Sequence, residues 1–367
     1  MSDTGTTTST AGPTVAAEHS FAKGSGAQGY LTDLDGPVHW VHWGAPGGDF
    51  TPGPEQVAAR GPAPLVLVHG LGGSHLNWTA VAPLWSGERD VRAVDLPGFG
   101  LSPGHRRDSS VHGNAAVLVR FLEEVVGRPA VLVGNSMGGM VSAMVAAERP
   151  DLVPGLVLVD PALPLVRLGG DREVTGRFAL FALPFLGEAA MRHSRRTRSP
   201  ETLTRDLLQL CFADPARIDP EVLAVGTRLA EVRREQEGVE ESFMRAARSL
   251  LKVLANRGSY WSMLGSLRQP VLLLHGEKDR LVAVASAREA ARRFPRWEAH
   301  VLPDAGHTPQ LEAPERVAAL VTDWLSRHTG SIDATGSSES THATDATGST
   351  DATHATDAPA SAGPGGG

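Results

Sequence analysis

Val131-Leu-Val-Gly134-Asn-Ser136-Met-Gly138-Gly-Met-Val-Ser-Ala-Met-Val-Ala-Ala-Glu148 changes character in mid-run. Ala130 to Gly134 is a short apolar run of β-branched type, and Met137 to Glu148 is built of helix formers. Between them lies Gly-x-Ser-x-Gly. A serine at such a strand–turn–helix corner projects its Oγ toward the helix N-terminus, where a nucleophile is useful. The pentapeptide alone says little, because it recurs at Gly100-Leu-Ser102-Pro-Gly104. There the turn-like Pro97-Gly-Phe-Gly precedes it and Pro103 follows the serine, so Ser102 is expected to be a loop or helix-cap residue. Ser136 is the candidate nucleophile.

Outward from this corner, strand and helix patterns alternate. Pro64–His69, Val91–Asp95, Gly155–Asp160 and Pro270–His275 are nearly continuous apolar runs, as expected of parallel strands buried on both faces. Earlier strands are expected around Tyr30–Leu34 and Val38–Trp43, and a last one at Ala299–Leu302. Helices are expected at Ser109–Val126, Ala283–Phe294 and Pro314–Arg327. The class is therefore α/β, with a mostly parallel central sheet flanked by helices. Residues 162–262 break the alternation, with helical periodicity at Pro200–Phe212, Pro220–Glu235 and Val239–Asn256. They are read as an inserted all-helical cap, leaving 29–161 and 263–328 as the core. Residues 1–28 and the Asp-Ala-Thr-rich 329–367 are expected to be a disordered leader and a low-complexity tail.

Bulk composition narrows the partners. With 34 Lys+Arg against 41 Asp+Glu the net charge is −7, which disfavours a nucleic-acid binder. No apolar run is long enough to span a membrane, and the amino terminus lacks the features of a secretory signal, so the expected location is cytoplasmic. The single Cys211 allows no internal disulfide and sits in an apolar run as a small hydrophobe. Gly24-Ser-Gly-Ala-Gln-Gly29 imitates a dinucleotide fingerprint but precedes the first strand. His39 and His42 face opposite sides of a strand, so no metal site is expected, and no cofactor. The oligomeric state has no signature. The expected partner is a small, apolar carbonyl compound.

A serine hydroxyl needs a base, and the base needs a carboxylate to orient it. His307 follows the last strand in Asp304-Ala-Gly-His307, and Asp279 follows the strand that ends at His275. The order Ser136, Asp279, His307, each beyond a strand's carboxyl end, suits a catalytic triad. Two other acids compete with Asp279: Asp160 at the end of its own strand, ranked second, and Glu277, ranked third. The backbone N–H of Met137 and of Leu71, in the turn His69-Gly-Leu-Gly-Gly-Ser74, are candidate oxyanion donors. His69 is expected to hold that turn. Phe178, Phe181, Phe185, Phe212, Phe243 and Trp261 are candidates for an apolar substrate pocket.

Together, His69-Gly-Leu-Gly-Gly, Asp95-Leu-Pro-Gly-Phe-Gly, Gly134-Asn-Ser-Met-Gly-Gly, His275-Gly-Glu-Lys-Asp279 and Gly306-His307 resemble the α/β-hydrolase superfamily over about residues 29–328. The resemblance implies the α/β-hydrolase fold with a Ser-Asp-His triad and a helical cap. It further implies a serine hydrolase that cleaves a carboxylic ester-type bond (ester, thioester or lactone). Epoxide hydrolases and haloalkane dehalogenases carry Asp where this chain has Ser136, which disfavours those chemistries. Gly134-Asn-Ser-Met-Gly-Gly is similar to the elbow of hydrolases that cleave carbon–carbon bonds in ring-fission diketones, although these commonly have Trp where this chain has Thr308. Cofactor-free haloperoxidase-like esterases share the triad. A non-catalytic ligand-binding protein on the same scaffold is the reading from another class.

Overall fold

A computed structural model of the chain describes residues 14–16, 21–44, 61–104, 107–164, 176 and 186–333. Its strands are β1 (Thr14–Ala16), β2 (Gln28–Asp33), β3 (Pro37–Trp43), β4 (Leu65–Val68), β5 (Val91–Val94), β6 (Val131–Asn135), β7 (Leu156–Val159), β8 (Val271–Gly276) and β9 (Glu298–Leu302). They form one sheet in the order β1-β2-β3-β5-β4-β6-β7-β8-β9. The first three pair antiparallel at one edge, and every pairing from β5–β4 to β8–β9 is parallel. The expected mostly parallel α/β architecture is what forms.

Apolar continuity in these strands has a direct packing cause. Alternate residues point to opposite faces, so Val66, Val68, Leu156, Leu158 and Leu273 enter one core while Leu65, Leu67, Val157, Val159 and Leu274 enter the other. The first core lies under α1 (Val111–Arg120), its π-helical continuation Phe121–Val126, and α2 (Met137–Glu148). The second lies under α10 (Pro314–Ile332), through Val317, Val321 and Trp324. Each such side chain contributes about 1.5–3 kcal/mol by leaving water, which makes the sheet a rigid platform for the loops at its carboxyl ends.

Between β7 and β8 stand α3 (Leu186–Thr197), α4 (Pro200–Cys211), α5 (Pro220–Arg234), α6 (Val239–Ala255) and α7 (Arg257–Ser266). Two of them, α4 and α5, start by capping rules: Ser199 Oγ accepts from Thr202 N and Asp219 accepts from Glu221 N, each followed by a proline at the first helical position. Arg233 of α5, half-buried, donates to the carbonyls of Gly100 (2.6 Å) and Gly98 (2.8 Å) and so fastens the insertion to the loop after β5. Beyond β8 come α8 (Val284–Arg293) and α9 (Pro309–Glu312).

Both ends depart from the sequence reading. The segment expected as a disordered leader supplies β1, paired antiparallel with β2, and buries Ala22 and Ala27. At the other end α10 continues to Ile332, which is buried, and Asp333 accepts a hydrogen bond from Ala63 N. A lone isoleucine in a polar stretch and two buried alanines leave no hydrophobic periodicity to read.

Candidate active site

Ser136 occupies the turn between β6 and α2 with φ 54° and ψ −117°, a region that non-glycine residues enter only under strain. Close packing holds it there. A Cβ on Gly138 would come 2.2 Å from Val68 O, and one on Gly134 would come 2.5 Å from Gly138 O, so the helix start and the two strands approach only because both are glycines. Ser136 N donates to Val159 O and its carbonyl accepts from Ala162 N. The side chain remains partly exposed.

His307 is held at every polar backbone group and at one ring nitrogen. Its Nδ1 lies 2.7 Å from Asp279 Oδ2, its N–H donates to Cys211 O at 2.6 Å, and its carbonyl accepts from Asn135 Nδ2 at 3.0 Å. Asn135 directly precedes Ser136, so that last bond brings the imidazole loop against the elbow. Asp279 is itself oriented: its Oδ1 accepts from Leu281 N (2.7 Å) and Val282 N (3.0 Å). Burial works to raise its pKa, but the His307 and His275 rings and these N–H groups outweigh burial and keep it below the usual carboxylate range. A carboxylate so placed fixes a tautomer with Nδ1–H and leaves Nε2 free as a base.

Of the competing acids, Glu277 is exposed and pairs with Arg288 at 2.6 Å, away from the imidazole. Asp160 is completely buried beside Asp279. Met137 N is the first N–H of α2, which has no intrahelical acceptor. Across from it, a Cβ on Gly70 would come within 3.0 Å of Ser136 Cβ, which puts the Gly70–Leu71 backbone alongside the nucleophile. His69 braces this turn, donating from Nδ1 to Gly70 O and accepting at Nε2 from Leu96 N; burial lowers its pKa to about 4, so it stays neutral.

The second Gly-x-Ser-x-Gly serine has a different job. Ser102 is buried, donates to Asp95 O (2.6 Å) and accepts from His39 N (2.8 Å). The thiol of Cys211 is pushed up to about 12 by burial and by the surrounding carboxylates, which leaves it inert at neutral pH.

Among the aromatic candidates, Phe243 of α6 reaches the turn after β4: a Cβ on Gly72 would meet its Cε2 at 3.1 Å. Phe212 is buried and its backbone abuts Gly306. Trp261 packs with Phe294 and under the Arg293 guanidinium, contacts that belong to the packing of α7 against the core. Phe178, Phe181 and Phe185 lie outside the described residues.

A family profile described as "alpha/beta hydrolase fold" matches residues 63–314. The chain belongs to the α/β-hydrolase family. Its similarity to the dihydrolipoyllysine-residue acetyltransferase component of the acetoin cleaving system of Pseudomonas putida is 32% identity, covering 74% of this chain and 66% of that protein. With pimeloyl-[acyl-carrier protein] methyl ester esterase of Aromatoleum aromaticum it shares 29% identity, covering 71% and 96%. The first two curated relatives extend well beyond the match, which spans 66% and 44% of their lengths. Among solved structures, the haloalkane dehalogenase DatA of Agrobacterium tumefaciens C58 superposes with a TM-score of 0.66 at 22% identity, covering 84% of this chain and 99% of that one. At that identity the likeness speaks to fold alone.

Within this α/β hydrolase, sequence reasoning missed Glu312. Its side chain is buried and accepts from Gly306 N (2.7 Å), Ala213 N (3.1 Å) and Asp214 N (3.1 Å), with Arg217 alongside at 3.3 Å. One carboxylate thus ties the His307 loop to the end of α4. The only sequence signal was an acid between Leu311 and Ala313, shortly after His307. Each buried donor stranded without a partner costs about 1–3 kcal/mol. Glu312→Ala should therefore lower the unfolding free energy in urea by about 3 kcal/mol; a loss under about 1 kcal/mol would mean that water replaces the carboxylate.

Two clusters among the described residues could be asked to hold a cation, His39–His75–Asp95 and Asp160–Asp279–His307. In each, the imidazole Nδ1 atoms already meet a carboxylate, so a metal would have to displace charge-assisted hydrogen bonds. No helix among the described residues is long and apolar enough to cross a membrane.

Proposed function

We propose that this α/β hydrolase is a serine hydrolase that cleaves a carboxylic ester-type bond (ester, thioester or lactone) through an acyl-enzyme on Ser136. The observation that carries the reading is the 2.7 Å His307–Asp279 pair, tied through Asn135 to a serine at a strained strand–helix corner. His307 Nε2 takes the Ser136 proton as Oγ attacks the carbonyl carbon. The developing oxyanion is met by the N–H groups of Leu71 and Met137, and Asp279 stabilises the imidazolium. The imidazolium then protonates the leaving group, and water, activated by the same His307, releases the acid. No cofactor takes part in these steps.

The helices between β7 and β8 act as the cap, with Phe243 and Phe212 supplying apolar surface near the reacting carbonyl. The esterase name of the Aromatoleum relative agrees with ester chemistry. A fluorophosphonate should label Ser136 stoichiometrically, and p-nitrophenyl esters of graded acyl length should be turned over. An absent adduct in folded protein would favour a ligand-binding role. The elbow Gly134-Asn-Ser-Met-Gly-Gly keeps carbon–carbon cleavage as the second reading; faster turnover of a ring-fission diketone than of any ester would favour it.

A further inference from the structure

Asp160 ends β7 with φ 45°, a second non-glycine residue forced into the left-handed region near the site. Its carboxyl is completely buried. Oδ1 accepts from Gly276 N at 2.8 Å, while no N–H or hydroxyl of another residue meets Oδ2. What faces it is the Asp279 carboxyl: ligating atoms of Asp160, Asp279 and His307 all lie within 4.8 Å of one another. On its other side stands His275, whose Nε2 is engaged with Val282 O (3.0 Å) and whose Nδ1, 3.6 Å from Asp160 Oδ1, has no partner. Glu312 and Cys211 complete the titratable surroundings.

Two ionised carboxylates this close and away from water repel one another, and neither has a proton with which to bond the other. Asp279 has His307 and two backbone N–H groups to stabilise its charge; Asp160 has one N–H. We propose that Asp160 stands as a neutral carboxylic acid whose O–H donates to the Asp279 carboxylate, making it a positioning residue that fixes the carboxylate plane against His307. Burial, with the neighbouring Asp279 charge, pushes Asp160 well above the usual carboxylate range, in keeping with this assignment. The proton stays on Asp160 throughout turnover. Its donated bond spreads the Asp279 charge and tempers the hold of that charge on the imidazolium. The catalytic consequence rests on the serine-hydrolase reading; the protonation state does not.

Asp160→Asn keeps an acceptor for Gly276 N–H and a donor for Asp279. It should leave kcat/KM within about 3-fold of wild type and the acid limb of its pH profile unmoved. Asp160→Ala removes the donor. It should lower kcat about 10-fold with KM little changed, and carry the acid limb to higher pH, because the undamped Asp279 charge holds the imidazolium longer. Loss of more than about 100-fold in Asp160→Asn, with Asp279→Asn nearly active, would make Asp160 the ionised acid and overturn the proposal. An unmoved acid limb in folded Asp160→Ala would overturn it too. Infrared difference spectroscopy of the resting protein, wild type minus Asp160→Asn, should show the C=O stretch of a protonated carboxylic acid at neutral pH. Its absence also overturns the proposal. If the serine-hydrolase reading alone fails, that band persists in a protein which fluorophosphonate does not label.

Discussion

Ser136→Ala should lower kcat on p-nitrophenyl esters by about 10⁴- to 10⁶-fold. The size follows from the architecture. Everything around the residue serves a single hydroxyl: the His307–Asp279 pair, the Asn135 tether and the first N–H of α2. With Oγ gone, those groups have no covalent step to support, and only polarisation of a bound carbonyl remains. A drop of less than about 100-fold would place the nucleophile elsewhere. The same position tests the strain at the corner. Alanine keeps the penalty of φ 54°, whereas glycine is at ease there, so Ser136→Gly should unfold at a higher urea midpoint than Ser136→Ala, by about 1 kcal/mol. Equal midpoints would argue that the corner is relaxed.

Asp95→Ala should cost about 3–5 kcal/mol of stability at neutral pH, the usual consequence of removing one member of a buried charged cluster. Asp95 is fully buried and accepts from His75 N (2.7 Å), His75 Nδ1 (2.8 Å), His39 Nδ1 (2.8 Å) and Leu101 N (2.9 Å). It therefore joins β3, β5, the turn after β4 and the loop that Arg233 grips. Burial works to raise its pKa, but His75 and His39 hold it well below the usual range. A carboxyl depressed in the folded state lends stability that is fully present above its unfolded value of about 4 and is lost as the pH falls through the folded value. Denaturant midpoints followed downward from pH 6 should fall below about pH 4 in the wild type, and less steeply in Asp95→Ala. Parallel curves would show that Asp95 does not carry this linkage.

What could be read in advance, and what could not, divides along physical lines. Strands buried on both faces announce themselves as unbroken apolar runs, so β4 to β8 and α2 stood out, and chain order made Asp279 and His307 natural partners for Ser136. The ranking of Asp279 over Glu277 rested on position alone, and in the fold Glu277 turns outward to Arg288. Contacts made by backbone carbonyls have no residue signature: nothing about Cys211 foretells that its carbonyl receives His307 N–H. Likewise, nothing local reveals that Asp160 and Asp279, beyond adjacent strand ends but far apart in sequence, come within 4.8 Å of one another. His75 was invisible because its partner Asp95 belongs to a neighbouring strand.

The Cys211–His307 and Glu312 bonds bear on how this hydrolase could be altered. A helical cover attached only by flexible joints could swing aside, or be exchanged wholesale for another to change substrate preference. Here the end of α4 is stitched to the His307 loop at His307 N, Gly306 N, Ala213 N and Asp214 N. Any graft of new helices must therefore leave residues 211–214 and Glu312 in place, with its seams inside α4 and beyond Asp214. A transplant cut at the β7 and β8 junctions would import a new pocket and loosen the base in the same stroke.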